Sequence, residues 1–318
     1  MLGEFLMFKI HMFFIRLFLW ADTMSRFVII VAGLIVLATA LIACSPLGIV
    51  NGLTRTDTYV VTENLKYGPD PREQLDVYQP RPPVDAEPPP AGYPIMVFFH
   101  GGSWISGERK DYKFIGEALA SQGIVTIVAD YRLYPQVRYP DFLGDCARAV
   151  AWARQQGTRF GGDSRRLYVM GHSSGAYNAA MLALDPRWLA GVGLKPSILA
   201  GWIGLAGPYD FLPMTDVDAQ PVFNHPNYPA GSQPIDYASR AAPRTFLGTG
   251  ATDEVVNLER NTKQLAEKLS AAGVLVTLRI YARVNHYTLI GAFARPMRAL
   301  VPVLGDVVKF VRADSVAQ

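Results

Sequence analysis

The chain has 318 residues, of which 50% are hydrophobic and 18% are charged, and its formal net charge is +3. This length is enough for one large domain or two small ones. The basic residues form no block like those of nucleic-acid-binding proteins, so we expect no nucleic-acid partner. The cysteines, Cys44 and Cys146, have no metal-ligand spacing, so we expect no metal site.

The N-terminal region carries an uncharged apolar run, residues 27–42, directly after Arg26. A basic start followed by an apolar stretch and small residues is typical of a secretory signal. The run ends in Leu-Ile-Ala-Cys at positions 41–44, which resembles the lipobox of bacterial lipoproteins. We therefore predict an exported, membrane-attached bacterial lipoprotein on the periplasmic or cell-surface side, with its lipid on Cys44. An uncleaved membrane anchor and a plain signal peptide remain as alternatives.

The domain organisation follows from this interpretation. Residues 1–43 form the signal region, in which we expect translation to begin at Met24, and residues 44–56 form a short tether. We expect no disulfide between Cys44 and Cys146, because lipidation explains the first cysteine. Cys146 lies in a helical stretch and is expected to be a buried, small hydrophobic side chain.

Two β-rich segments, residues 58–62 and 74–78, alternate in polarity and predict a pair of strands joined as a hairpin. Residues 80–94 contain seven prolines and predict an extended surface loop. Farther along, the polar and poorly periodic stretch 208–234 predicts a small cap segment.

From residue 95 onward, buried strands alternate with helices. The predicted strands are residues 95–99, 124–129, 167–170, 198–205, 244–247 and 276–280, and the predicted helices are residues 112–121, 141–155, 174–184, 258–271 and 293–311, the last with a break near Pro302. This alternation predicts an α/β fold with a mostly parallel, doubly wound sheet.

The pattern Gly-x-Ser-x-Gly occupies residues 171–175, between a predicted strand and a predicted helix. A serine on such a sharp turn is exposed at the sheet edge, and side chains at the flanking positions would collide, which favours glycine there. The start of the helix also favours negative charge. The motif predicts Ser173 as a nucleophile, whereas a simple glycine-rich turn is the alternative.

A second glycine-rich segment, His-Gly-Gly-Ser-Trp at residues 100–104, directly follows the strand predicted over residues 95–99. Backbone N–H groups that stabilise an oxyanion must approach it to about 3 Å, and a Cβ would obstruct them. We predict the donors as the N–H groups of Gly102, Ser103 and Ser174. The histidine of this segment is expected to order the loop and not to act as a base.

The base and its orienting acid must follow Ser173 in the chain if the arrangement is that of a serine hydrolase. We predict His286, after the last strand, as the base; His225 is its rival. Asp253, after the strand 244–247, is predicted as the acid, although an aspartate there could also cap a helix. Glu254 and Asp210 are its rivals, the latter with an expected structural or substrate-pocket role.

Together these motifs, with Leu-Asp-Val-Tyr at 75–78 and Tyr-Arg-Leu at 131–133, resemble the α/β-hydrolase superfamily over residues 58–312. Within it, the chain is similar to the esterase branch with His-Gly-Gly-x-Trp loops, which includes feruloyl-esterase-like enzymes and kynurenine formamidases; hormone-sensitive-lipase-like esterases are the next most similar. The resemblance implies an α/β-hydrolase domain over residues 57–313 with a small cap segment. The chain departs from the pattern at Ser103, which replaces a third glycine, and at 246–250, which lack the usual His-Gly pair.

The expected activity is hydrolysis of a small-molecule carboxylic ester through a Ser173–His286–Asp253 triad and an acyl-enzyme, without a metal or organic cofactor. An amidase, formamidase or peptidase would use the same residues, and a lipase would need a larger apolar acyl site. A catalytically inactive binding module is the alternative from a different class. The sequence does not indicate an oligomeric state.

Overall fold

The computed structural model describes residues 46–82 and 87–313, together with Trp20, Met24 and Val31. The chain divides into two compact units, residues 1–49 and 50–318, and the second contains the sheet. The predicted signal run and Cys44 lie outside the described residues. Within the described part of the chain, no helix combines the length and the hydropathy needed to cross a membrane.

Eight strands form one sheet in the order β1-β2-β4-β3-β5-β6-β7-β8. They are β1 Tyr59–Lys66, β2 Gln74–Pro80, β3 Tyr93–Phe99, β4 Val125–Ala129, β5 Gly162–His172, β6 Leu199–Leu205, β7 Thr245–Gly250 and β8 Val276–Tyr281. The first two strands pair antiparallel as the predicted hairpin, and β2 pairs antiparallel with β4. All other pairings are parallel, so the prediction of a mostly parallel α/β sheet is confirmed.

The described α-helices are α1 Pro46–Gly52, α2 Lys113–Ala120, α3 Asp141–Gln156, α4 Ser174–Leu184, α5 Pro186–Ala190, α6 Gln264–Ala271, α7 His286–Gly291 and α8 Val303–Arg312. One group, α3, α4 and α5, packs together, and α2 packs against α8. The central strands β3 and β4 are almost wholly buried, which explains their continuous apolar sequence. Cys146 of α3 is a buried free thiol, as predicted.

The parallel strands end at one edge of the sheet, and that edge collects the candidate functional residues. The strands β3, β5, β7 and β8 are followed by the His-Gly-Gly loop, Ser173, Asp253 and His286, respectively. Ligand-binding and catalytic loops gather at the carboxyl edge of such sheets. Residues far apart in the chain are therefore brought to one side of the domain.

Two helix predictions in the C-terminal region were wrong in part. Residues 293–302 hold only a short 3₁₀ turn, Arg295–Met297, and the α-helix begins at Val303. Prolines at 296 and 302 explain the difference, because proline lacks the N–H that an α-helix interior requires. In the helix predicted over 258–271, the first turn, Glu259–Lys263, is a π-helix that leads into α6.

The predicted cap segment, residues 208–234, is irregular apart from the 3₁₀ turn Gln220–Phe223 and the start of a second, Pro234–Tyr237. Its backbone is nevertheless fixed by side chains. The N–H groups of Phe211 and Leu212 donate to Oε1 of Gln233 at 2.8 and 3.3 Å. These bonds satisfy backbone groups that a regular element would otherwise pair.

Candidate active site

Ser173 joins the end of β5 to the first residue of α4 with φ 54° and ψ −124°. A serine in this part of backbone space is strained, and such strain persists only where the surroundings impose it. The two glycines of the motif make the turn possible. A Cβ on Gly171 would lie 2.0 Å from the carbonyl oxygen of Gly175, and a Cβ on Gly175 would lie 2.1 Å from that of Phe99.

The loop after β3 has three successive residues with positive φ, namely Gly102 at 126°, Ser103 at 52° and Trp104 at 60°. A Cβ on Gly102 would lie 2.2 Å from the carbonyl oxygen of Ser106, so this position requires glycine. The carbonyl of Gly102 accepts from the N–H groups of Ile105 and Ser106, each at 3.0 Å. The loop therefore folds back on itself into a tight turn.

Three further hydrogen bonds hold this loop to its surroundings. The indole Nε1–H of Trp104 donates to Oδ1 of Asn178 on α4 at 3.1 Å. The Tyr131 hydroxyl donates to the His100 carbonyl at 2.8 Å, and the N–H of Gly101 donates to the Tyr112 hydroxyl at 3.2 Å. Asn178 belongs to no motif that sequence analysis identified, so it was not selected as a candidate residue.

The three predicted oxyanion donors are Gly102, Ser103 and Ser174. Their N–H groups make no hydrogen bond to any other described residue. Ser103 and Ser174 line the same pocket as Ser173. N–H groups in this position beside the predicted nucleophile would be able to stabilise an oxyanion.

His100 is fully buried, and its Nδ1–H donates to the carbonyl of Gly101 at 2.8 Å. Its ring stacks on that of Tyr131 with the centroids 4.4 Å apart, and its Nε2 lies 3.6 Å from Oδ1 of Asp130. Burial lowers the pKa of His100 below its ordinary value. A neutral, enclosed imidazole at this position orders the loop.

Asp253 and His286 form a direct pair, with Nδ1–H of the imidazole donating to Oδ2 of the carboxylate at 2.9 Å. The other oxygen, Oδ1, accepts from the N–H groups of Val255 and Val256, both at 2.9 Å. Burial alone would raise the pKa of Asp253, but the bonds from His286 and these N–H groups outweigh it and lower that pKa. The carboxylate therefore holds both the backbone turn at 253–256 and the imidazole of His286 in position.

The loops that carry this pair are joined by backbone contacts. Ala251 N–H donates to the Tyr281 carbonyl at 2.9 Å, and the Thr252 hydroxyl donates to the Val284 carbonyl at 3.0 Å. A Cβ on Gly250 would lie 2.2 Å from that same Val284 oxygen. Glycine at 250 thus allows the two loops to approach each other.

His286 was predicted in a loop, but it is the first residue of α7, whose N-cap is Asn285. The Asn285 side chain accepts from the N–H groups of Tyr287 and Thr288, and the Thr288 hydroxyl accepts from the N–H of Asn285. This reciprocal capping arrangement stabilises a short helix that has weak periodicity of its own. It fixes the backbone that presents the imidazole.

His172, the residue before Ser173, contacts His286, and sequence reasoning did not identify this contact. Its Nε2–H donates to the His286 carbonyl at 3.0 Å, and the two ring centroids are 4.8 Å apart. Burial, followed by the neighbouring His286, lowers the pKa of His172 to about 3. His172 is therefore neutral near pH 7 and adds no charge beside His286.

The rival residues lie elsewhere. His225 is exposed, and its Nδ1 pairs with the Tyr228 hydroxyl at 2.9 Å. Asp210 forms an ion pair with Arg260 at 2.9 Å, and Glu254 is exposed. The structure gives none of the three a hydrogen bond or ion pair with His286 or Asp253.

A pocket of about 100 Å³ opens beside Ser173. Its wall includes Trp104 from the loop after β3, Phe211 and Met214 from the cap segment, and Val256 from the turn of the Asp253 carboxylate. A larger cavity of about 350 Å³ lies beside β8 and α8, and none of the predicted site residues lines it.

Comparison with known proteins supports the same family assignment. A family model described as BD-FAE matches residues 75–269. Esterase LipC of Mycobacterium tuberculosis (strain ATCC 25618 / H37Rv) is 32% identical over 241 residues, which are 69% of this chain. The chain spans only 58% of the length of LipC.

A second relative is the kynurenine formamidase of Salmo salar, which is 26% identical over 71% of this chain and 75% of its own length. Among solved structures, the inhibited esterase B from Lactobacillus rhamnosis superposes with a TM-score of 0.69 and 18% identity, covering 89% of this chain and 96% of that chain. At this level of identity the superposition establishes the fold.

Proposed function

We propose that this chain, which belongs to the BD-FAE family of α/β-hydrolases, hydrolyses small-molecule carboxylic esters with Ser173 as the nucleophile. The observation that carries the proposal is the buried Asp253–His286 pair, at the same sheet edge as the strained Ser173 turn. Esterase LipC, by its name, supports the same class of reaction.

In the first step, Nε2 of His286 accepts the hydroxyl proton of Ser173 while Oγ attacks the carbonyl carbon of the ester. In the neutral imidazole the one ring proton is on Nδ1, which donates to Asp253, and Nε2 is the acceptor. The negative charge that develops on the carbonyl oxygen is stabilised by the N–H groups of Gly102, Ser103 and Ser174. The carboxylate of Asp253 stabilises the imidazolium that forms.

In the second step, the imidazolium returns its proton to the alkoxide oxygen as the carbon–oxygen bond breaks, and the alcohol leaves. A water molecule then attacks the acyl-enzyme while His286 takes its proton, and the carboxylic acid departs as Ser173 is reprotonated. Each proton is taken up and returned by the same imidazole.

Ser173→Ala tests the nucleophile. We expect the loss of nearly all turnover of p-nitrophenyl acetate, on the order of 10⁶-fold in kcat, as for other activated serines. Labelling of the protein by a fluorophosphonate should disappear as well. Ser270→Ala, an exposed serine on α6, is the matched control and should behave as the wild type. Wild-type turnover in Ser173→Ala would disprove the assignment.

Amide hydrolysis is the second candidate, favoured by the kynurenine formamidase relative. The same groups would protonate an amine leaving group in place of an alcohol. Comparing kcat/KM for N-formylkynurenine with that for p-nitrophenyl acetate and a feruloyl ester distinguishes the two. The proposed esterase function requires an ester to be the better substrate.

Membrane attachment through a lipid on Cys44 is a further proposal. It is supported by the apolar run at 27–42 and by the lipobox-like residues that end it. The main domain would then work at a membrane surface while it acts on small-molecule esters.

A further inference from the structure

The pocket beside Ser173 is lined by the proposed nucleophile and by part of the proposed oxyanion site. Ser173 lines it together with Ser103 and Ser174, two of the proposed oxyanion donors. The carbonyl group of a bound ester must lie between the nucleophile and these donors. A group attached to that carbonyl can therefore extend directly into the pocket.

The position of His286 indicates which part of the ester this group is. The general acid must lie within hydrogen-bond reach of the leaving oxygen, so the alcohol departs on the side of the imidazole. Among the described residues, those that line the pocket do not include His286. The pocket thus receives the acyl group, and the alcohol extends toward His286.

The size of the pocket limits that acyl group. An apolar cavity of about 150 Å³ accepts one benzene ring. The pocket here measures about 100 Å³, which is about two-thirds of the volume of that cavity. A saturated chain of about two to four carbons needs less space than the ring.

The wall formed by the cap segment is held in place. The Phe211 ring packs against those of Trp104, Tyr177 and Phe223 at centroid distances of 6.0, 5.7 and 5.1 Å. Met214 is 7% exposed, and its N–H donates to the Tyr228 hydroxyl at 3.2 Å. Phe211 thus packs on an aromatic cluster, and Met214 is a buried, unbranched side chain of the hydrophobic core, so shortening it leaves a space beside the pocket that it lines.

We propose that the enzyme accepts short aliphatic acyl groups, rejects aromatic acyl groups such as feruloyl, and owes its upper limit of acyl length to Met214. This inference rests on the proposed esterase function and specifies its substrate class.

The experiment measures kcat/KM for p-nitrophenyl acetate, propionate, butyrate, hexanoate, octanoate and benzoate, which share one leaving group. For the wild type we expect a maximum at or below butyrate, with a loss of roughly tenfold for each methylene that no longer fits. Met214→Ala removes the side chain beyond Cβ and should move the maximum toward hexanoate. Met214→Leu, of similar volume, should keep the wild-type profile.

Val217→Ala is the matched control, because Val217 lies in the same segment, is 70% exposed and does not line the pocket. It should keep the wild-type profile, and melting temperatures report whether each variant is folded. The inference would be overturned if the wild type hydrolysed the octanoate or benzoate ester as efficiently as the acetate ester. It would also be overturned if folded Met214→Ala kept the wild-type profile. A wild type that hydrolyses no ester and is not labelled by a fluorophosphonate would instead overturn the proposed function.

Discussion

At the scale of single residues, Asp253 has two roles: it holds a backbone turn and it binds His286. One carboxylate oxygen accepts two backbone N–H groups of its own turn, and the other accepts from His286. The aspartate was predicted as the triad acid, with helix capping as the alternative; the structure gives it the bond to His286 and a turn, but no helix begins there. A sequence pattern cannot separate these tasks, because both need an aspartate after a strand.

Asp253→Asn should leave the fold intact and reduce kcat by about 10⁴-fold, as in another serine triad. The amide oxygen can still accept from Val255 and Val256, so the amide nitrogen faces His286 and favours the wrong imidazole tautomer. The measurement is kcat, KM and the melting temperature with one activated ester.

Asp210→Asn is the control for that variant. Its partner, Arg260, is 44% exposed, so the loss of the ion pair should change stability by less than about 1 kcal/mol and leave kcat nearly unchanged. A severe kcat loss in Asp210→Asn with a mild effect in Asp253→Asn would show that the acid is Asp210.

His172→Phe should weaken the pH dependence of stability. The pKa of His172 is lowered to about 3 in the folded protein, below its ordinary value of about 6.5 in the unfolded chain. The part of the stability that depends on a neutral His172 is therefore fully present above about pH 6.5. It is lost as the pH falls toward 3, because only the unfolded state takes up the proton in that range. Phenylalanine takes up none.

The measurement is the urea midpoint of wild type and His172→Phe at about pH 7.5 and about pH 5. The wild type should lose more stability between these values than the variant. The variant should also lower kcat, since the His286 carbonyl loses its donor, and His172→Gln should restore part of it. Equal losses of stability in both proteins would contradict the neutral, buried state of His172.

Among the elements, those with strong local signals were predicted well. The helix α4 begins and ends at the predicted residues, and α3 differs from its prediction by one residue, because both have clear boundaries and buried faces. The short helix α7 was missed, since its stability comes from the cap at Asn285 and its surroundings. His172 was missed for a similar reason: its partner lies 114 positions away.

Gly171→Ala should prevent the turn between β5 and α4 from closing. Its Cβ would lie 2.0 Å from a backbone oxygen that the turn cannot move, so we expect insoluble or unfolded protein. Gly305→Ala in α8 is the matched control, because a Cβ there meets nothing within 4 Å, and it should raise stability by roughly 0.5–1 kcal/mol. Soluble expression and melting temperature check both, and a stable, active Gly171→Ala would refute the close-packed turn.

At the scale of the whole molecule, the fold class was predictable but the strand order was not. Alternating buried strands and helices indicate a parallel α/β sheet wherever they occur. Which strands are neighbours depends on packing between distant segments, such as the placement of β4 between β2 and β3. The sequence motifs nonetheless predicted which loops meet, because loops that follow parallel strands share one edge.

Cys44→Ala should release the protein from membranes if this cysteine carries the lipid. A lipid with more than one chain gives stable attachment, which a single chain does not. The measurement is the fraction of full-length protein in washed membranes, with Cys146→Ala, a buried thiol, as the control. Retention of Cys44→Ala in membranes with an uncut N-terminus would favour the transmembrane-anchor alternative.

The two tasks of Asp253 also constrain how this protein could decay in evolution. A lineage released from selection for catalysis can replace Ser173 without removing a hydrogen-bond partner of Asp253, whereas replacing the aspartate leaves the N–H groups of Val255 and Val256 without their acceptor. Inactive descendants should therefore lose the proposed nucleophile, Ser173, first. The aspartate, or an asparagine that still accepts those two bonds, should persist as a trace of the ancestral chemistry.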